Sequence, residues 1–211
     1  MFLFLNLLAK EKRNILECLG AEVNVVPTAA ISNPKHYVNL ARQKAEEINK
    51  SDPNTAAFMN QFENTANFNT HYRNTGPEIL DQMNGKMVDA FVMSSGTGGT
   101  LAGVGSYLKE KNPKVKVVLV DPPGSSLYNK IKFGVAFAEE QRERLLRRHR
   151  YDTIAEGVGL DRVTSNFALG VERKVITDAI RVTDQEMVDM AHWYDFFLYF
   201  FEITTYFLNS W

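Results

Sequence analysis

The run Ser94-Ser95-Gly96-Thr97-Gly98-Gly99-Thr100 constrains this chain more than any other stretch. It follows a short apolar run, Val88 to Met93, that predicts a buried strand. It precedes Leu101 to Lys111, which predicts a helix closed by Asn112-Pro113. A glycine-rich turn between a strand and a helix N-terminus suits an anion. Free backbone N–H groups point outward there, the helix dipole favours negative charge, and glycines let a ligand come close to the backbone. The threonine and serine hydroxyls add donors.

The rest of the chain alternates in the same way. Ala9 to Leu19 has helical spacing and stops at Gly20, a residue suited to the left-handed position past a helix end. Valine-rich Ala21 to Pro27 predicts a strand, and Pro34 to Asn49 a helix with proline in its first turn. Thr55 to Met59 reads as a short strand, Thr75 to Met83 as a helix before the Asn84-Gly85 turn, and Val115 to Val120 as a further strand. Residues 122–170 read mostly as loop, with turn chemistry at Pro122-Pro123-Gly124 and Gly157-Val158-Gly159. Thr183 and Glu186 have capping-box spacing and open a final helix through about Trp193. Helices alternating with short β-branched runs place the chain in the α/β class, with parallel sheets flanked by helices.

Composition excludes several functions. Across 211 residues, 24 basic groups face 25 acidic ones, so no broad field draws nucleic acid or anionic lipid. The one dense basic run, Arg142 to Arg150, is broken by Glu143 and reads as a solvated helical face. Cys18 is the only cysteine, which excludes an internal disulfide and suits a reducing compartment. Among Ile15, Leu16 and Leu19 it reads as a small buried hydrophobe. His36, His149 and His192 have no partner at metal-ligand or triad spacing, so no metal site is expected. The apolar start, Met1 to Leu8, lacks the basic lead and cleavage site of a signal peptide. The end is dense in aromatics, but its longest apolar stretch, Phe196 to Phe201, falls far short of the roughly 20 residues a membrane span needs.

Three readings of the glycine turn stay open on these residues alone: a cofactor phosphate, a dinucleotide, or a structural turn. The dinucleotide pattern finds Gly96 and Gly98, then Leu101 where a third glycine belongs, with Asp121 ending the next strand as the acid for a ribose. A P-loop fails because no Lys-Ser/Thr pair follows the glycines.

The wider motif set separates these readings. Gly96 to Ser126, with G-T-G-G-T-L-A-G-V-G at its start and V-V-L-V-D-P-P-G-S-S at its end, resembles the cysteine synthase and cystathionine β-synthase family. Gln61-Phe62-Glu63-Asn64-Thr65-Ala66-Asn67, His71-Tyr72 and Thr75-Gly76-Pro77-Glu78-Ile79 stand in family order. So do Ala9-Lys10-Glu11-Lys12, Leu19-Gly20-Ala21-Glu22-Val23, Glu156-Gly157-Val158-Gly159 and Val182-Thr183-Asp184-Gln185-Glu186. The resemblance covers about residues 9 to 193 and is best with the cysteine synthase branch.

These are fold-type II enzymes dependent on pyridoxal 5'-phosphate (PLP), with a three-layer αβα architecture. The resemblance implies that Gly96, Thr97, Gly98, Gly99 and Thr100 cradle the PLP phosphate. It implies that Gly157, Val158 and Gly159 lie near the cofactor ring and that Gln61 lines the substrate pocket. Asn64, Asn67 and His71 read as caps or turn residues rather than chemistry. The family's reaction is β-replacement, in which an activated serine ester loses its side-chain group and sulfide adds. Its lysine lies in an S-x-K-x-R-type motif, its carboxylate loop is T-S-G-N-T-G-like, and a serine follows a G-x-S-type turn. None of these is present, so no catalytic residue is assigned and the fold is expected to be incomplete at both ends. The expected organisation is a non-family start at 1–8, a partial small domain at 9–67, a partial large PLP-binding domain at 68–193 and an aromatic tail at 194–211. The expected partners are an amino-acid substrate for the family and a homodimer or full-length relative for the chain. The expected compartment is intracellular, cytoplasmic or mitochondrial. The alternative function is a noncatalytic interaction protein.

Overall fold

The computed structural model describes residues 2–5, 10–27, 29, 31–138 and 153–195. The chain divides into two compact units, Met1–Asn60 and Gln61–Trp211. In the first, β1 (Phe2–Leu5) pairs in parallel with β2 (Val23–Val26), Phe2 opposite Val23. Helix α1 (Lys10–Cys18) ends as predicted. Gly20 takes φ +84°, its N–H reaches the Glu17 carbonyl, and the Ala21 N–H reaches that of Leu16.

Cys18 is exposed, against the expectation of burial. Of Ile15, Leu16 and Leu19, which the sequence reading grouped with it, only Leu16 is even half-buried. Helix α2 (Tyr37–Ser51) starts later than Pro34 because His36 caps it, its Nδ1 accepting from the Val38 N–H at 3.2 Å. Thr55 to Met59 forms no strand. The Asn49 side chain donates to the Ala56 carbonyl at 2.8 Å and accepts its N–H at 3.0 Å, giving that peptide the partners a neighbouring strand would have supplied.

The second unit opens with α3 (Ala66–Thr70), a π-helical turn (His71–Thr75) and α4 (Gly76–Gln82). Then come β3 (Ala90–Ser94), α5 (Gly99–Lys111), β4 (Lys116–Asp121), α6 (Leu127–Phe133), α7 (Ser165–Glu172), β5 (Asp178–Arg181) and a helix, α8, from 184 to 195. The three strands form one parallel sheet in the order β3-β4-β5, with Met93 opposite Leu119 and Leu119 opposite Ala179.

Alternation along the strands sends Val117, Leu119 and Ala179 into one core with Leu101, Val104 and Leu108 of α5 and Phe167 of α7. Gly105 sets the spacing: a Cβ there would stand 2.8 Å from Val175 and 3.0 Å from Val117. On the other face Val92 and Ile180 remain 55% and 44% exposed.

The α/β class is as predicted. Helices α6 and α7 correct the loop-like reading of residues 122–170, and strand β5 is an element the sequence reading did not make. The capping box at α8 is present: Glu186 accepts the Thr183 N–H at 2.8 Å, and Thr183 Oγ1 accepts the Glu186 N–H at 3.2 Å. The basic run at 142–150 and the aromatic tail from 196 onward lie outside the described residues.

Candidate functional site: the glycine turn at the end of β3

Residues 95–98 form the link from β3 to α5, and Gly98 is the N-cap of α5 with φ +85°. No side chain caps this helix, and helical geometry leaves its first N–H groups without intrahelical acceptors. Two other segments close on the turn. The Gly159 N–H donates to the Ser95 carbonyl at 3.0 Å, and a Cβ on Gly96 would stand 2.2 Å from the Gly157 carbonyl oxygen. Gly157 and Gly159 reach this position with φ +76° and +80°. The two glycine segments singled out in the sequence thus meet, with Val158 half-buried between the glycines of the second.

The glycines answer a need beyond ligand approach. A Cβ on Gly98 would stand 2.6 Å from Phe167 Cβ, and one on Gly99 would stand 2.1 Å from Asn67 Oδ1. The turn is therefore packed from behind by α7 and α3. Side chains from both helices also bond it. Asn67 Nδ2 donates to Thr97 Oγ1 at 2.8 Å, and Thr164 Oγ1 donates to the Thr97 carbonyl at 2.7 Å. Thr164 is itself the N-cap of α7, accepting the Phe167 N–H at 3.1 Å. Thr100 Oγ1 lies 3.1 Å from His71 Nε2, and His71 Nδ1 lies 3.0 Å from Thr75 Oγ1.

Asn67 and His71 therefore reach the turn itself, where the sequence reading expected caps or turn residues. Asn64 does hold a turn, accepting the Ala66 N–H at 3.0 Å. The signal for Asn67 and His71 was present in the Q-F-E-N-T-A-N…H spacing, but it did not say what they touch.

The segment carrying Gln61 is anchored by one buried amide. Asn166 Nδ2 donates to the carbonyls of Phe62 and Asn64 at 2.9 and 3.2 Å, and Asn166 Oδ1 accepts the Phe68 N–H at 3.0 Å. Glu63 adds a second tie, accepting from the backbone and hydroxyl of Ser165 at 2.9 and 2.6 Å and pairing with Arg162 at 3.3 Å. Burial opposes ionisation of Glu63, but the two Ser165 bonds and the Arg162 guanidinium outweigh it and hold the carboxyl below its ordinary range. Gln61 itself is exposed.

The donor set fits a phosphate. The turn from Ser94 to Thr100 offers backbone N–H groups and hydroxyls and contains no carboxylate. The buried Ser95 Oγ has no partner. Asp121, the acid a dinucleotide would need, is fully buried, and its Oδ2 accepts the Tyr128 N–H at 2.7 Å. Burial pushes its carboxyl up to about 6. That acid is committed to the interior of the fold. Among the described residues no three His, Cys, Asp or Glu side chains cluster as a metal site would require. No described helix is long and apolar enough to cross a membrane.

Known proteins show the family. Residues 6–195 match the family model described as pyridoxal-phosphate dependent enzyme. The chain is 49% identical over 187 residues to cysteine synthase 2 of Schizosaccharomyces pombe, covering 88% of this chain and 47% of that protein. It is 47% identical over 192 residues to cysteine synthase 2 of Neurospora crassa, covering 89% and 41%. It is 43% identical over 188 residues to the cysteine synthase of Dictyostelium discoideum, covering 88% and 46%. The chain thus spans less than half the length of these relatives. With a helix-flanked parallel sheet, a phosphate-suited turn at its carboxyl edge and this match over most of its length, the chain belongs to the pyridoxal-phosphate dependent enzyme family of fold type II.

Proposed function

We propose that this chain supplies the phosphate cradle of a cysteine synthase-like enzyme. The observation that carries the reading is the meeting of residues 95–100 with residues 157–159 around an uncapped helix N-terminus. In this reading the N–H groups opening α5 and the hydroxyls of Thr97 and Thr100 hold the PLP phosphate. Gly157, Val158 and Gly159 border the ring, and Gln61 borders the amino-acid substrate. Bound there, the cofactor supplies an electron sink for β-replacement of an activated serine by sulfide. The chain's own residues bind and orient it.

No lysine among residues 1–211 stands in an S-x-K-x-R setting. The covalent anchor and its proton transfers therefore belong to a part of the enzyme other than these residues. Residues 1–211 alone bind PLP through its phosphate and do not turn over.

Titration of the purified chain with PLP and with NAD tests this, read by calorimetry and by thermal melting. PLP is expected to bind and NAD not to; at a hundredfold excess over Kd the cofactor adds about 2.7 kcal/mol of stability. Binding of NAD alone would overturn the cradle reading. Turnover of O-acetylserine and sulfide by the chain alone would overturn the claim that it lacks its catalyst.

A second reading is supported by the open sheet face around Val92 and Ile180, which suits pairing with a full-length relative. Co-purification of the two chains as a defined complex with unaltered PLP affinity would favour it.

A further inference from the structure

The two threonine hydroxyls of the cradle are each met from behind by a nitrogen. Asn67 Nδ2 stands 2.8 Å from Thr97 Oγ1 and 3.4 Å from the Gln61 carbonyl. A carbonyl oxygen only accepts, so the atom facing it is the amide's NH₂, and that group must donate to Thr97 as well. Thr97 Oγ1 therefore accepts, and its own hydrogen is left for a third partner.

His71 is placed to do the same for Thr100. Its ring bridges Thr75 Oγ1 at Nδ1 and Thr100 Oγ1 at Nε2. If Thr75 donates to a bare Nδ1, then Nε2–H donates to Thr100 and the Thr100 hydrogen is also free. The π-helical turn His71–Thr75 sets this ring against α5, where a Cβ on Gly103 would come within 2.9 Å of His71 Cβ and 2.5 Å of the Phe68 carbonyl. Such turns inside helices recur at functional sites.

We propose that Asn67 and His71 are positioning residues that fix both cradle hydroxyls as donors. By filling an acceptor position on each oxygen, they leave the cradle presenting hydrogens to whatever enters it. The ligand that matches is a group of acceptors only, such as an ionised phosphate ester. The inference rests on the cradle reading and adds how its hydroxyls are oriented.

Binding of PLP and of inorganic phosphate to the full chain, followed by calorimetry and phosphorus NMR, tests it, together with nitrogen NMR of His71. His71→Leu is expected to weaken PLP binding about tenfold or more, while His71→Gln, whose amide N–H can stand in for Nε2–H, stays within about threefold of wild type. Asn67→Asp makes Thr97 donate backwards and is expected to weaken binding by at least as much as His71→Leu. That loss should shrink in a Thr97→Val background, whereas simple charge repulsion would persist there. Nitrogen shifts should show Nδ1 bare and Nε2 protonated in the wild-type chain, a readout that needs no variant to fold. A proton on Nδ1, equal affinities across the His71 variants, or an Asn67→Asp penalty unchanged by Thr97→Val would each overturn the positioning role. Wild type that binds neither PLP nor phosphate would overturn the cradle reading, and this inference with it.

Discussion

Single residues decide how this site is held together. Asn166 is fully buried and bonds two carbonyls and one N–H of the 62–68 segment. Asn166→Leu leaves these backbone groups without partners and is expected to lower stability by about 2–4 kcal/mol, read as a shifted urea midpoint at constant slope. Asp121 makes a pH-dependent contribution of the opposite sign to most carboxylates. Its folded value of about 6 lies above the ordinary 3.8, so between those limits the native state holds a proton that the unfolded state has lost. Its contribution to stability is therefore present at low pH and falls as pH rises through about 4 to 6. Asp121→Asn keeps an acceptor for Tyr128 and removes the titration. Relative to the variant, wild type should lose about 2 kcal/mol between pH 4 and 7, measured by urea unfolding across that range. Parallel curves would refute it. Neither role was legible in the sequence. Asn166 carries no motif, and Asp121 looked like a ribose ligand because sequence places it at a strand end without showing that the carboxyl turns inward.

At the scale of elements, those with a clear apolar run or a marked turn were readable and those without were not. Strand β4 and helix α5 follow from a valine-rich run and a clear glycine turn, and β3 from an apolar run. Strand β3 is not the buried strand expected, since Val92 is 55% exposed. Helix α6 has seven residues and no side-chain cap at Ser126, so nothing marks its start. Strand β5 is only Asp-Ala-Ile-Arg, too short for alternation to register. The Thr55–Met59 reading failed because a side-chain amide replaced the partner strand. The junction of turn and helix yields a further prediction. Gly98→Ala combines a strained φ of +85° with a clash on Phe167, whereas Gly134→Ala has φ +76° and open space around it. The second is expected to cost about 1–2 kcal/mol by strain alone, and the first about 3 kcal/mol or more with loss of PLP binding. Thermal melts of the two variants side by side separate packing from strain.

At the scale of the molecule, the chain holds less than half the length of the relatives it matches. Its described sheet of three strands shows β3 and β5 at the edges and an apolar face around Val92 and Ile180. Val92→Thr with Ile180→Thr should reduce concentration-dependent association, followed by sedimentation, while changing unfolding stability by less than about 1 kcal/mol.

The Asn166 amide has one more consequence, for the order of events during synthesis. Its partners on Phe62 and Asn64 lie 104 and 102 residues earlier in the chain. Thr164, which bonds the Thr97 carbonyl, likewise emerges 67 residues after its partner. A nascent chain that has already exposed the glycine turn can meet Asn67 early, but must wait for most of the second unit to leave the ribosome before Thr164 braces the turn from the other side. Contacts this distant in sequence are slow to form. Until they do, the turn and the apolar strands beside it are open to chaperones, so the interval between residues 100 and 166 is the vulnerable window in making this protein.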